Sequence, residues 1–510
     1  MREPSQICQQ ECRTCPSCNV FIHSCTFHLS NAIRIRKMLR HILREIGLET
    51  LLRSSWDIHL LCFQRFARMF AYGQTTIIFT AFFIALGINE EQVGLFMSYT
   101  LLGDVVMSLG MVLVADRIGR RKILATGSIL MFISGITFTY ASNFWILLTA
   151  AVFGVISPSG SEIGPFKTIE ESTMAHLANL ETRSELYAWY NLLGGIGLAL
   201  GTASGGWIVQ ILQDNYGWSD IGSFRCIFVL YSIVAALKFL TSILLSSKVD
   251  RHVNTSQDDE RGSDDMDSQE EDQLLSGQID DETEDLITTV ESDQQLGQSG
   301  EVSKSSSSSN FWKGMIPKLS TQSRRAVLPL LFLFSIDSFA SGIASQSWLS
   351  YYFSERFGTK EGTLGMLFFV TNFISAGSSL LAAPLAKRLG LIKTIAFTHL
   401  PSSVFLSILG MPSAGYLAMT FLILRSCTQR MDYGPTQAFV SAIVLKEERT
   451  SVMGIVNLVN TLSQSVSPLL VGRLARQGMM PIGFLLAGGC KVVYDISLLA
   501  VFIGQQLHDN

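Results

Sequence analysis

Charged residues are scarce in this chain. Asp, Glu, Lys and Arg make up 16% of its 510 residues, whereas 48% are hydrophobic and the mean hydropathy is +0.33. A soluble protein of this size would carry roughly 25% charged residues. The deficit argues against an ordinary soluble domain and indicates long apolar segments. The net charge of −4 arises largely from one acidic segment, so it says little about partners.

Motifs of several enzyme classes are missing as well. The chain has no Walker-type phosphate loop, so we expect no ATP hydrolysis. It also has no HExxH or GxSxG motif and no paired carboxylates of a hydrolase. We therefore expect neither an enzyme nor a cofactor. The first 64 residues contain no apolar stretch followed by a small-residue cleavage site, and we expect no signal peptide.

Apolar runs long enough to cross a bilayer as helices occupy most of the chain. We count about twelve, in two sets of six, with boundaries soft by several residues. The first set runs near 66–87, 92–115, 123–141, 144–176, 185–211 and 225–246. The second set runs near 326–353, 362–386, 392–411, 414–444, 451–473 and 481–505. The fourth and tenth runs are too long for one straight span.

The apolar runs divide the chain into four parts. We expect residues 1–64 to form a cytosolic tail whose basic amphipathic segment lies on the inner leaflet. Residues 65–247 and 324–510 are predicted to be two six-helix halves. Residues 248–323 are acidic and serine-rich, cannot bury a core, and are expected to be a disordered cytosolic linker.

A cluster of charge follows the second predicted span. It consists of Asp116, Arg117, Gly119, Arg120, Arg121 and Lys122. Such cations cannot lie in hydrocarbon, and the positive-inside rule places their loop in the cytoplasm together with both termini. A weaker copy with Lys387, Arg388 and Lys393 follows about half a chain later, which indicates two related halves. Arg473 and Arg476, before the last span, run against the rule.

This charge cluster after a second span resembles the signature of the major facilitator superfamily. One departure is Val112, where that family usually has glycine. The resemblance implies an all-α membrane fold with twelve helices in two pseudo-symmetric six-helix halves that work by alternating access. It also implies that the motif latches helices of the outward-open state, whereas the simpler alternative is that its cations only hold the loop inside. Segments 156–166, 188–191 and 431–435 resemble a microbial and fungal subgroup whose substrate the resemblance does not name.

The fourth and tenth spans carry matching interruptions. Pro158, Gly160, Gly164 and Pro165 interrupt the fourth, and Gly434-Pro435 interrupts the tenth. Irregular backbone at membrane depth survives only where protein or a water-filled cavity satisfies its polar groups. Paired interruptions in two halves therefore point to the binding site of a transporter.

Ionisable and polar residues in and near these spans are the candidates for a substrate or proton site. They are Glu162, Glu170, Arg425, Arg430, Asp432, Asp337, Asp104 and Asn191. A carboxyl group in a dry cavity can take up and release a proton, and an adjacent arginine can bind an anionic substrate or hold the carboxylate ionised. The alternative is structural: a Glu–Arg network that closes the helices, and for Asp104 a hydrogen bond to a neighbouring helix.

The other charges inside the spans are interpreted as structural. Arg65 and Arg68 begin the first span and are expected to reach the membrane interface. Lys491 and Asp495 lie four residues apart on the last helix and are expected to neutralise each other. Lys238 has no obvious partner. We expect no metal site within the spans.

The tail and linker suggest partners beyond the lipid bilayer and a small solute. Acidic dileucine patterns end at Leu274-Leu275 and at Leu286-Ile287 and could bind vesicle-sorting adaptors, although acidic loops generate such matches by chance. The expected location is therefore the plasma membrane or a vacuole-like or lysosome-like endomembrane. We expect a monomer that binds no nucleic acid. Five cysteines crowd the tail, which is either a zinc site or a reduced or lipidated segment: Cys8, Cys12, Cys15, Cys18 and Cys25.

The leading hypothesis is a secondary transporter that moves a small solute by alternating access. Proton coupling is expected, because carboxylates lie in the interrupted spans. The alternative is a non-transporting sensor or scaffold of the same fold, and its support is the length of the tail and the linker. The sequence does not name the solute.

Overall fold

The computed structural model describes residues 48–154, 156, 165–178, 182–250, 321–444 and 448–502. Within these ranges the secondary structure is seventeen α-helices and one short 3-10 helix, without strands. The all-α fold class is thus confirmed. Glu162, the five tail cysteines and both dileucine patterns lie outside the described residues, so the predictions about them stay predictions.

Eight α-helices form the first half, which comprises the described residues up to 250. They are α1 (Leu48–Arg53), α2 (Trp56–Ala85), α3 (Glu90–Ile118), α4 (Arg120–Tyr140), α5 (Phe144–Gly154), α6 (Pro165–Leu177), α7 (Arg183–Asp214) and α8 (Asp220–Ile243), followed by the 3-10 helix Ser247–Asp250. Helix α2 begins well before the predicted start of the first span near residue 66. Ile58 and Leu61 explain the early start, because both are buried against apolar side chains of the neighbouring helices.

Nine α-helices form the second half, which comprises the described residues from 321 onward. They are α9 (Thr321–Ile343), α10 (Gln346–Phe357), α11 (Glu361–Ser379), α12 (Ala382–Leu389), α13 (Leu391–Ile408), α14 (Gly415–Ser426), α15 (Tyr433–Ile443), α16 (Arg449–Arg476) and α17 (Met480–Phe502). The seventh and eighth predicted spans are each divided into two helices. Among the residues that the structure describes, six helical stretches are long and apolar enough to cross a membrane by length and composition, so the count of twelve stays a prediction.

The two interrupted spans each consist of two short helices. Helices α5 and α6 confirm that the fourth span is not one straight helix. In the tenth span the break covers 427–432, so the prediction that Gly434-Pro435 interrupts the helix is wrong. Pro435 lies in the first turn of α15, and Pro165 begins α6. Proline favours this position because its fixed φ suits a helix start and its missing N–H is not needed there.

The backbones of the two halves touch at the outer end, the end predicted to face away from the cytoplasm. A Cβ atom added to Gly472 of α16 would lie 2.5 Å from the backbone oxygen of Glu90, and one on Gly206 of α7 would lie 2.2 Å from that of Glu361. Only glycine fits at such distances, so small residues allow the backbones to touch. The outer end is closed by contacts between helix backbones.

Polar contacts between the halves surround these glycine contacts. Lys360 binds Asp214 at 2.9 Å, and Arg476 binds Glu91 at 2.6 Å. Both pairs are exposed, and such pairs typically contribute only about 0–1 kcal/mol. Arg476 is predicted to lie at the outer end, where the positive-inside rule disfavours a cation. Its ion pair with a carboxylate of the other half accounts for this position.

We expect Gly472→Ala to separate the outer ends of the halves, because its methyl group would overlap a backbone oxygen of α3. Gly454→Ala is the matched control: it lies in the same helix, where an added methyl group meets nothing within 4 Å. Alanine favours helix over glycine at both positions, so loss of helix cannot explain a difference. The measurement is the distance between spin labels attached at Tyr216→Cys and Met411→Cys, both exposed at the outer end. Equal distance distributions in the two variants would contradict the role of Gly472.

Candidate functional site

Four ionisable side chains from three helices converge inside the second half. Lys491 of α17 donates hydrogen bonds to the Asp337 carboxylate of α9 at 2.6 Å and to the Ser341 hydroxyl at 2.8 Å. His399 of α13 has Nδ1 2.8 Å from Asp495 Oδ1 and Nε2 3.8 Å from Asp337 Oδ1. An imidazole therefore lies between two carboxylates, one of which also binds a lysine. We call Asp337, His399, Lys491 and Asp495 the Asp337 cluster.

The Asp337 cluster is accessible from one side. His399, Lys491 and Asp495 are 3%, 4% and 1% exposed, whereas the Asp337 side chain is 24% exposed. Ser403 donates a hydrogen bond to Asp495 at 3.0 Å on the closed side. Asp337, His399 and Asp495 thus form a chain of titratable groups that runs inward from the partly exposed Asp337 carboxylate.

The prediction that Lys491 and Asp495 neutralise each other is wrong. Both lie on one face of α17, as their spacing requires, but each finds its partner on a different neighbouring helix. Lys491 pairs with Asp337 of α9, and Asp495 pairs with His399 of α13. The buried face of α17 packs against both helices, so cross-helix partners are closer than the neighbour one turn away.

Three predicted site residues lie next to this cluster, at the break of the tenth span. Arg425 is in the last turn of α14 and is 5% exposed. It lies close enough to Asp337 to interact with it electrostatically. Asp432 immediately precedes α15 and lies within electrostatic range of His399 and Lys491. Arg430 is half-buried in the same break. The structure therefore brings Arg425, Arg430, Asp432 and Asp337 into one region.

Glu170 belongs to a different group, inside the first half. Arg68 donates to both of its carboxylate oxygens, at 2.5 and 2.9 Å, and the Tyr190 hydroxyl donates at 2.7 Å. The Lys238 ammonium lies 3.7 Å from the same carboxylate. Arg68, Glu170 and Lys238 are each at most 1% exposed. The prediction that Arg68 reaches the membrane interface is wrong, because it is fully enclosed, and the partner that Lys238 lacked in the sequence is Glu170.

This buried network matches the structural interpretation of the Glu–Arg pair. Glu170 connects α6 with side chains from α2, α7 and α8, and all of them are saturated and enclosed. The Phe166 ring lies 4.7 Å from the Lys238 ammonium and fits only because position 127 is glycine. The network holds four helices together, and its charged side chains are almost fully enclosed.

The remaining predicted site residues have separate environments. Asp104 is 2% exposed, and within the described ranges its Oδ1 atom has no hydrogen-bond partner. Asn191 accepts a hydrogen bond from Arg65 at 3.1 Å. Neither residue contacts the Asp337 cluster. No group of three His, Cys, Asp or Glu that could hold a metal ion occurs among the residues that the structure describes.

The charge motif joins three elements at the inner end. Gly119 adopts a φ of 97° between α3 and α4, a conformation that glycine accepts readily. The Arg121 amide donates to the Asp250 carboxylate at 3.0 Å, and its guanidinium donates to the Ile243 carbonyl at the end of α8. The side chains of Asp116 and Arg117 lie outside the described residues, so latching by the motif stays a prediction.

His399 is the one cluster member that sequence reasoning missed. The signal was present, since a histidine within an apolar span is rare and marks a candidate functional residue, as an acidic residue does. Its position gave no indication of a partner, because Asp495 lies almost a hundred residues later in the chain. Only the packing of α13 against α17 brings the two together.

Comparisons with known proteins agree with this architecture. A family model described as Major Facilitator Superfamily matches residues 61–468 and 327–507. An uncharacterized membrane protein of Saccharomyces cerevisiae is 33% identical over 456 residues, which cover 88% of this chain and 95% of that protein. The nucleoside transporter NupG superposes with a TM-score of 0.58 at 13% identity, covering 88% and 99% of the two chains. A D-xylose–proton symporter superposes with a TM-score of 0.62 at 14% identity, covering 87% and 97%. At such identities the two structures show the fold alone.

We expect Glu170→Gln to destabilise the protein by about 3–5 kcal/mol, because it leaves the buried cations Arg68 and Lys238 without their carboxylate. Glutamine keeps the shape of the side chain, so the change isolates the charge. Glu171→Gln is the matched control, since Glu171 follows on the same helix and is half-buried. The measurement is thermal unfolding of the purified protein in detergent. Equal midpoints for the two variants would show that the network does not hold the first half together.

Proposed function

The chain belongs to the major facilitator superfamily, and on that premise we propose that it couples the movement of a small solute to the movement of protons. It is an integral multi-pass membrane protein with the fold of secondary transporters, and not an enzyme. One of the structural neighbours is itself named a proton symporter. The observation that carries the proposal for this chain is the Asp337 cluster.

The geometry of the Asp337 cluster suits the uptake and release of a proton. Histidine is the side chain whose charge ordinarily changes near physiological pH, and His399 lies between two carboxylates. Ionisable residues within membrane spans are costly and mark proton pathways by default. A proton on Asp337 would weaken its ion pair with Lys491, which links α9 to α17. Protonation would therefore change how two helices of the second half are held.

We propose that the two halves rock about the region of the interrupted spans. The outer end is closed by the contacts of Gly472 and Gly206. Beyond the breaks, toward the inner end, Lys167 of α6 donates to the Tyr433 hydroxyl of α15 at 3.1 Å. Both residues lie in the first turn of the second helix of their span. Alternating access requires the outer contacts and this inner contact to break in turn.

The orientation follows the charge motif in this proposal. Cations at the α3–α4 loop favour the cytoplasm, which places both termini and the linker there. We propose that the motif stabilises the outward-open state and that the linker directs the protein to either the plasma membrane or a vacuole-like membrane. The sensor or scaffold alternative gains no support from the described residues, because a buried proton-binding cluster is not required for docking.

We expect Asp337→Asn to abolish solute-driven proton movement, because the amide cannot bind a proton or hold Lys491. The purified protein is reconstituted into liposomes that contain a pH-sensitive dye, and pooled small metabolites from yeast cells are added outside. His399→Gln is expected to have the same effect. Glu355→Gln is the control, since it removes an equal charge from an exposed position outside the cluster.

Wild-type protein is expected to change the internal pH when metabolites are added, and the two cluster variants are expected to match empty liposomes. Solute uptake without any proton movement by the wild type would exclude coupling while leaving transport intact. No movement of solute, together with a strong cellular phenotype on deletion of residues 250–310, would favour the scaffold alternative.

A further inference from the structure

We propose that the solute is an organic anion whose carboxylate or phosphate group binds the Arg425 guanidinium. The proposal rests on the transport function proposed above and adds the chemical class of the substrate. It starts from a difference between two buried arginines, one in each half. Arg68 has a carboxylate partner within the protein, and Arg425 has none among the described residues.

Arg425 is held rigidly at the break of the tenth span. Helix α14 ends at Ser426, and the Ser426 carbonyl accepts a hydrogen bond from Ser375 of α11 at 3.0 Å. The last turn of α14 is therefore fixed to a neighbouring helix. The Arg425 side chain, 5% exposed, cannot leave the protein interior without moving this turn.

The charge of Arg425 lacks compensation within the described ranges. A guanidinium stays protonated in proteins, so it cannot avoid its charge by losing a proton. No carboxylate oxygen of the described residues lies within 4.0 Å of it, and its Nε atom is buried without a hydrogen-bond partner. Of the carboxylates in this region, Asp337 binds Lys491, Asp495 binds His399, and Asp432 forms no ion pair with Arg425 within 4.0 Å. A buried cation without a partner is unstable, and a bound anion would supply the missing charge.

The chemistry of the site selects anions over other solutes. A guanidinium presents its N–H donors in a planar fork that matches carboxylate and phosphate groups. Arg430 adds a second cation in the same break, close enough to Arg425 to interact with it electrostatically. An anionic group of the solute could therefore form the ion pair that Arg425 lacks among the described residues.

The same geometry explains how a proton and an anion would move together. Asp337 is the carboxylate nearest to Arg425 in electrostatic terms. An ionised Asp337 competes with an anionic solute for the Arg425 guanidinium. A protonated Asp337 has no charge and does not compete. The charged and titratable groups that face Asp337 are Lys491, His399, Arg425, Tyr494 and, from the break, Asp432. Anion uptake is therefore expected to increase as the external pH is lowered.

The test separates the pooled metabolites by charge. An extract of yeast cells is passed over an anion-exchange resin at neutral pH, which yields a retained, anionic fraction and a flow-through of neutral and cationic solutes. Each fraction is added outside liposomes that contain the purified full chain, with the external medium acidic. Mass spectrometry of the liposome contents identifies what has entered. We expect accumulation from the retained fraction alone.

Variants of Arg425 connect the result to the site. Arg425→Gln removes the charge and is expected to slow the initial uptake of the identified anion by at least about tenfold. Arg425→Lys keeps the charge but loses the planar fork, so it is expected to retain part of the uptake with a raised KM. If the Arg425→Gln variant does not fold, the raised KM expected of the Arg425→Lys variant provides the test. Arg473→Gln is the control, because Arg473 is exposed at the outer end.

Two results would overturn the proposal in distinguishable ways. Anion recognition by Arg425 would be excluded if a solute from the flow-through entered the liposomes. It would also be excluded if the Arg425→Gln variant took up the anion at the rate of the wild-type protein. Either result would leave the proposed transport function intact. If no solute from either fraction entered the liposomes, the proposed transport function would be contradicted, and the anion proposal would fail with it.

Discussion

Charge inside a membrane must be compensated, and the structure depends on how each half meets that requirement. In the first half the Glu170 carboxylate binds the Arg68 guanidinium through both oxygens and lies beside the Lys238 ammonium. Removing one partner of such a buried pair costs about 3–5 kcal/mol, far more than an exposed pair contributes. Helices α2, α6, α7 and α8 therefore cannot separate independently, and the first half moves as one body in the proposed mechanism.

The second half compensates its buried charges only in part. We therefore propose that the proton and the solute bind in this half. Its charges are also largely buried, but the Asp337 side chain is 24% exposed and Arg425 has no carboxylate partner among the described residues. A closed network such as that around Glu170 can only stabilise the fold. An open one can exchange a proton or bind an ion without unfolding. The two halves thus resemble each other in helix arrangement and differ in what their charges can do.

The sequence predicted the helices better than the contacts between them, for a physical reason. Apolar runs and proline positions are local signals, so the broken spans and most helix limits were predictable. Spacing along one helix identifies only same-helix neighbours, which is why Lys491 was paired with Asp495. The actual partners Asp337 and His399 lie on other helices, and their selection depends on interhelix packing that no local pattern contains. Arg68 was likewise assigned to the interface because Glu170 is about a hundred residues away.

The contacts that join the two halves at the outer end bear on where a proton could drive the conformational change. The backbone contacts of Gly472 and Gly206 contain no titratable group. The exposed pairs Lys360–Asp214 and Arg476–Glu91 do contain carboxylates, but exposed ion pairs of this kind contribute little to holding the halves together. We propose that coupling acts through a buried group whose environment differs from water. The Asp337 cluster joins α9, α13 and α17, so its protonation would alter helix contacts in the moving half.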